Sequence, residues 1–217
     1  MEQWFEGVHL LGRFGASETG CWLLHFGGEA AILEMPPTGR GQRSPADTAA
    51  AAAKSLGLSV KFVLCTHAHS DHFSTATLDG FRRTFPKATI HLYEGFQKYI
   101  DEAHGIQWFQ DSRELKLAGE PLVLIHAPKH SGTDTMVIFR GAICTGDWEL
   151  NTVRSVHDGR SGITTERKLA SIQRLLKFTV DRDYRIHQVY SVHANDRRAD
   201  VNFADLMADT RVDRQLW

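Results

Sequence analysis

The stretch Val60-Lys61-Phe62-Val63-Leu64-Cys65-Thr66-His67-Ala68-His69-Ser70-Asp71-His72 sets an apolar, β-prone run directly before three imidazoles and a carboxylate. Val60 to Cys65 reads as a buried strand, so the cluster falls where a strand ends and the chain turns. Strand ends hold side chains rigidly, which a metal site needs. In extended backbone, residues i and i+2 point the same way, so His67 and His69 can grip one ion together. Asp71 and His72 follow the turn and can reach a second. Imidazole nitrogens and a carboxylate oxygen suit Zn²⁺ or another first-row metal. One histidine near a strand end is ordinarily a capping or hydrogen-bonded residue. Three beside an aspartate would repel one another when protonated unless something holds them. The cluster is internal and not a homopolymer, which argues against a purification tag.

The chain of 217 residues has Lys+Arg 25, Asp+Glu 26 and a formal net charge of −1. The length predicts one domain, residues 1–217. The balanced charge implies no basic face, so nucleic acid is not an expected partner. No apolar run is long enough to span a bilayer, and Met1-Glu2-Gln3-Trp4-Phe5-Glu6 does not resemble a signal peptide. A cytoplasmic protein without a membrane partner is the expectation. Cys21, Cys65 and Cys144 lie far apart in apolar runs and read as buried thiols, not a disulfide framework. Twelve histidines are the compositional oddity, and they too point to metal chemistry.

On the N-terminal side, Gly7 to Leu11 reads as a strand and Arg13 to Gly20 as a turn-rich loop. Cys21 to Phe26 and Ala30 to Met35 read as a hairpin across Gly27-Gly28. Pro36 to Pro45 is a surface loop. Asp47 is a candidate cap for an alanine-rich helix ended by Gly57. On the C-terminal side, Ser74 to Phe85 reads as a helix, Ala88 to Tyr93 as a strand and Gly95 to Ile100 as a short helix. Residues 101–119 read as irregular. Leu122 to His126 is a strand, and Met136 to Phe139 pairs with Ala142 to Cys144 across Arg140-Gly141. Ile163 to Phe178 has the spacing of an amphipathic helix. Gln188 to Val192 is a strand, and Phe203 to Met207 a short helix.

Three more metal-ligand types fall just past predicted strand ends: His130, Asp147 and His193. Singly, each has a plainer reading, as a loop hydrogen bond, a turn cap or a satisfied core residue. Together with the first cluster, four strand ends supply seven donors. Two metals bridged by one carboxylate need about that many.

The order His67-x-His69-x-Asp71-His72, then His130, Asp147 and His193, resembles the metallo-β-lactamase fold superfamily. Thr145-Gly146-Asp147 resembles that family's strand-turn-Asp segment, and Ala127 to Thr133 its Pro-Gly-His segment. The resemblance runs from about residue 7 to residue 193. It implies an α/β fold, a four-layer αββα sandwich with metals at one edge. It further implies two divalent ions, Zn²⁺ first, with iron or manganese as alternatives. His67, His69 and His130 would hold one ion, and Asp71, His72 and His193 the other. Asp147 would bridge them. Asp71 would also be catalytic, orienting the nucleophile and shuttling a proton. The chain departs from the family at Lys129, where Gly is frequent, and at Glu34-Met35-Pro36, where Asp-x-Gly is frequent. Asp at the bridging position, rather than the Cys of the best-known true β-lactamases, points away from penicillin hydrolysis. The chain ends soon after His193, without room for the helical domain of glyoxalase II.

The implied function is a dinuclear metal-dependent hydrolase that attacks a small ester, thioester or lactone with a metal-bridging hydroxide. An iron-dependent oxidoreductase or oxygen-binding protein of the same fold, a phosphodiesterase, and a non-catalytic metal-binding module are the alternatives. The expected partner is a small-molecule substrate. The loop Phe14 to Thr19 is expected near the metals. Trp108, Phe109 and Trp148 are candidate pocket walls, with core or loop packing as the equally good reading, and Asn195 is a candidate substrate hydrogen-bond donor. Metal identity, substrate, oligomeric state and pathway are left open by the residues.

Overall fold

The computed structural model describes residues 1–148, 162–194 and 197–212. Asn195 therefore lies outside the described residues. In the first half, β1 (Glu2–Phe5), β2 (Val8–Phe14), β3 (Thr19–Phe26) and β4 (Glu29–Leu33) form an antiparallel meander. The β3–β4 turn is the expected glycine pair. Gly27 and Gly28 have φ of 55° and 82°, left-handed values that cost a residue without Cβ nothing. Strands β5 (Ser59–Leu64), β6 (Thr89–Tyr93) and β7 (Ile106–Phe109) continue the sheet in parallel. Parallel neighbours need crossovers, and α1 (Pro45–Ser55) and α2 (Thr75–Thr84) supply two of them.

Helix α1 begins earlier than expected. Ser44, not Asp47, is its N-cap: the Ser44 hydroxyl accepts from the Asp47 N–H at 3.0 Å, with Pro45 at the first helical position. Pro45 needs no N–H partner there, so the helix can start on it. Residues 94–99 form a 3₁₀ segment.

The second sheet runs β13-β12-β11-β10-β9-β8. Its strands are β8 (Ser112–Leu117), β9 (Glu120–His126), β10 (Thr135–Phe139), β11 (Ala142–Cys144), β12 (Gln188–Tyr190) and β13 (Arg197–Ala199). Arg140 and Gly141, at φ 50° and 76°, make the β10–β11 turn with the backbone twist that hairpins favour. Helix α3 (Thr165–Asp181) lies between β11 and β12, which are parallel, and α4 (Phe203–Val212) follows β13. Residues 101–119, expected to be irregular, contain β7 and β8. Strands β1 and β13 were likewise not foreseen.

Alternation along the strands sorts the apolar residues into three cores. Leu23, Ile32, Val63 and Ile90 face α1 and α2, meeting Ala49, Ala53, Leu78 and Phe81. Their neighbours Trp22, Leu24, Leu33 and Leu64 face the other way, onto Leu124, Val137, Phe139 and Tyr190 of the second sheet. Val123, Ile125, Ile138 and Ile143 then face α3 and α4, against Leu169, Ile172, Leu175 and Phe203. Period-2 alternation with both faces buried produces the continuous apolar runs seen in the sequence. The architecture is the expected αββα sandwich. No helix among the described residues is long and apolar enough to cross a membrane.

Candidate metal centre

The two sheets meet at one edge through backbone. The Thr135 N–H donates to Thr66 O at 2.7 Å, and the Gly20 N–H and the Trp22 indole both donate to Val192 O at 3.1 Å. The first bond brings the C-terminal end of β5 beside the start of β10, the other two set β3 against the segment after β12, and the Val192 N–H donating to Gly146 O at 3.1 Å ties in the segment after β11. After β5 the chain turns tightly, with the His72 N–H and Phe73 N–H both donating to His69 O, at 2.9 and 2.8 Å. That turn presents His67 and His69 on one side and Asp71 and His72 on the other.

All seven expected residues converge. Ligand-type atoms of His67, His69 and His130 lie within 4.8 Å of one another, as do those of Asp71, His72 and His193 and those of His67, His72 and Asp147. Asp147 is the centre of the cluster. Its Oδ2 is 3.3 Å from His72 Nε2, 3.6 Å from His130 Nε2 and 3.8 Å from His67 Nε2, and its Oδ1 is 3.4 Å from His193 Nε2. Asp71 Oδ2 lies 3.6 Å from His72 Nε2 and 3.9 Å from His193 Nε2. His69 Nδ1 and His130 Nε2 share a hydrogen bond at 3.0 Å.

The outer ring nitrogens are held by the surrounding chain. Thr66 Oγ1 meets His67 Nδ1 at 3.1 Å, and Ser17 O accepts from His193 Nδ1 at 3.2 Å. The second contact places the Phe14 to Thr19 loop against the cluster, as expected. Behind His72 stands Glu34, whose Oε2 is 3.5 Å from His72 Nδ1. Its Oε1 accepts from the Thr66 N–H at 2.8 Å and its Oε2 from the Cys65 thiol at 3.4 Å. Glu34 is fully buried and holds φ at 84°, a left-handed value uncommon for a side chain with Cβ. Sequence reasoning noted it only as a departure from a family pattern. Its sole local signal is an acidic residue ending an apolar strand.

Burial and neighbouring charge set the protonation of the chain's own groups. Burial first, then His72, holds His67 well below the ordinary imidazole range. Burial and His130 lower His69. Burial opposes charge on His72 as well, but the carboxylates of Asp147 and Glu34 beside it outweigh burial and raise the imidazole to about 10. Asp147 is pulled well below the carboxylate range by His193 and His72, against the effect of burial. The Asp147 carboxylate beside it raises His193.

The donors fit metal ions. His67 Nε2, His72 Nε2 and Asp147 Oδ1 are buried with no hydrogen-bond partner, and all three point into the cluster. Buried polar atoms left unpartnered are costly, and converging lone pairs of this kind are what divalent cations satisfy.

All three candidate aromatics take part in packing. Trp108 and Phe109 belong to β7, where Trp108 packs on the helix-facing core and Phe109 on the inter-sheet core. Trp148 is buried against the α3 side, with the Lys129 ammonium 4.7 Å from its ring centroid. Trp148 follows Asp147 in a turn closed by the Trp148 N–H donating to Thr145 O at 3.0 Å, and its side chain is buried.

The sequence model of the Metallo-beta-lactamase superfamily matches residues 21–142. No curated protein matches the chain. Among solved structures, DIM-1 metallo-beta-lactamase superposes with a TM-score of 0.70 at 14% identity, covering 100% of this chain and 97% of that one. A metallo-beta-lactamase family protein from Thermus thermophilus gives 0.63 at 19% identity, covering 98% and 80%. ETHE1 from Myxococcus xanthus gives 0.60 at 18% identity, covering 94% and 89%. At these identities the likeness is one of fold.

Proposed function

Because the chain belongs to the metallo-beta-lactamase superfamily, we propose that the cluster holds two divalent metal ions and that the protein hydrolyses a small ester, thioester or lactone. His67, His69 and His130 would hold one ion, Asp71, His72 and His193 the other, and Asp147 would join the two sets. The observation that carries this reading is the position of Asp147. One of its oxygens faces His67, His72 and His130 while the other faces His193. The nitrogen and oxygen donors suit zinc, and accept iron or manganese as well.

Bound divalent ions supply Lewis acidity toward an acyl oxygen and lower the pKa of water from 15.7 toward about 7. The chain's own residues do the rest. Asp147, ionised across the ordinary pH range, offsets part of the added charge. Thr66, Ser17 and Glu34 hold three imidazoles so that Nε2 of His67, His193 and His72 faces inward. Asp71 sits on the open side, with its side chain 33% exposed. There it can orient an attacking water and carry its proton away. His67 and His72 are sealed from solvent, so reactant enters from the side of Asp71, His130 and His193. The near-neutral net charge favours a small acyl substrate over a polyphosphate or nucleic acid.

Elemental analysis of the protein expressed without added metal is the test. About two zinc per chain supports the proposal, and turnover of thioesters, esters or lactones would then complete it. Substantial iron would move the reading to oxygen chemistry on the same fold. Less than one metal of any kind after reconstitution would overturn it.

A further inference from the structure

We propose that Asp134, in the loop between β9 and β10, is a positioning residue that aims His130 into the cluster and locks its loop to the one carrying Asp147. This role rests on the metal reading above.

Asp134 is 3% exposed. Its Oδ2 accepts from the backbone N–H groups of Lys129 at 2.9 Å, His130 at 2.6 Å and Ser131 at 3.0 Å. The same oxygen accepts from the Trp148 indole at 3.2 Å. Its Oδ1 accepts from the Ser131 hydroxyl at 2.6 Å and shares the Ser131 N–H at 3.0 Å. A carboxylate has about four lone-pair sites, so this one is saturated. A buried anion is expensive unless hydrogen bonds replace its water, and three successive backbone N–H groups curled around one oxygen provide that replacement.

The consequence for the cluster is geometric. The three N–H groups belong to His130 and its two neighbours, so the carboxylate fixes the direction in which the His130 side chain leaves the loop. Its Nε2 then reaches 3.0 Å from His69 Nδ1 and 3.6 Å from Asp147 Oδ2. Trp148, next to Asp147 in the chain, is held at its edge by Asp134 and at its face by Lys129. One carboxylate thereby joins two loops that carry donors, without touching any donor side chain. It acts through backbone and through an indole. At position 129 the backbone serves Asp134 while the Lys129 ammonium lies over the Trp148 ring.

Zinc affinity, read by competition with a chromogenic chelator, tests this. Asp134→Asn is nearly isosteric but turns an amide NH₂ toward N–H donors. We expect it to weaken zinc binding about ten- to hundred-fold. In a His130→Ala background the same substitution should cost at least threefold less, because the residue it positions is gone. The indole N–H resonance of Trp148 in the metal-free protein, assigned with Trp148→Phe, should also move. Equal losses in the two backgrounds, or an unmoved indole resonance, overturn the proposal. If Asp134→Asn does not fold, Ser131→Ala removes one donor to Oδ1 and carries the same cycle. A loss of a few-fold that disappears with His130→Ala supports the role, and an equal loss overturns it. A wild-type chain that takes up no zinc at all overturns the metal reading itself, and this role with it.

Discussion

At the scale of single residues, the cluster assigns unequal duties to Asp147 and His193. Asp147 faces both donor sets, whereas His193 belongs to one. Asp147→Ala should therefore lower zinc content toward zero, and His193→Ala should leave about one per chain. Equal stoichiometry in the two variants would count against the shared position of Asp147. Away from the cluster, His91 on β6 is 4% exposed, with Nδ1 buried and unpartnered. Burial, then the charge of Arg113, pushes its pKa from 6.5 down to about 4. A histidine kept neutral by the fold takes its proton more readily in the unfolded chain, so acid favours unfolding. Its contribution is fully present above pH 6.5 and is lost as pH falls from 6.5 to 4, in all about 3 kcal/mol. Urea unfolding of chelator-treated protein at pH 7.5 and pH 4 measures the loss. His91→Gln should flatten the pH dependence relative to wild type, and parallel profiles would exclude this cause.

The elements explain why some strands were legible and others were not. The sheet orders end in β1 and β7 in one sheet and in β13 and β8 in the other. Those four edge strands are the four that sequence patterning failed to find. Three of them expose charge, at Glu2 of β1, at Arg113, Glu114 and Lys116 of β8 and at Arg197 of β13, which keeps an edge from pairing with other chains. In β8, Ser112-Arg113-Glu114-Leu115-Lys116-Leu117 buries only Leu115 and Leu117. Its apolar content is too sparse to stand out from a loop. The central strands, covered on both faces, announced themselves. Element contacts also govern the cluster. A Cβ on Gly20 of β3 would lie 2.3 Å from Val192 O and 2.8 Å from the Trp22 indole nitrogen. Gly20→Ala should cost about 1–3 kcal/mol through overpacking. It should also weaken zinc binding, because Val192 precedes His193. Denaturant unfolding and chelator competition together check this, and a loss of stability with zinc affinity untouched would mean that the two sheets adjust without moving His193.

Across the whole molecule, the seven donors are divided between the sheets. His67 to His72 follow β5 of the first sheet, while His130, Asp147 and His193 follow strands of the second. Metal bound here would clip the sandwich together at one edge. Zinc at one hundred times its dissociation constant adds about 2.7 kcal/mol to the folded state. For a chain of this size that corresponds to roughly 5–10 °C in Tm. Chelation should lower Tm by about that amount and added zinc should restore it. A Tm indifferent to both would show that no ion spans the two sheets.

The central strands, the crossover helices, the glycine turn and the histidine and aspartate types just past strand ends were legible in the residues alone. These are local properties. Period-2 alternation, turn chemistry and ligand type are each written within a few neighbouring residues. The packing of the sheets settled which of those side chains share an ion-sized space, that Phe109 and Trp148 are buried in the cores, and that the edges are strands. It also decided the duties of Glu34 and Asp134. Each is an isolated carboxylate in sequence, with nothing nearby to mark it. Glu34 takes its role from Thr66 and His72, brought up from another segment, and Asp134 gathers the N–H groups of residues 129–131 of its own loop and reaches Trp148 across the chain. Pairing of buried polar atoms across the chain leaves no periodic trace in the sequence, because burial is decided only when the sheets close on one another.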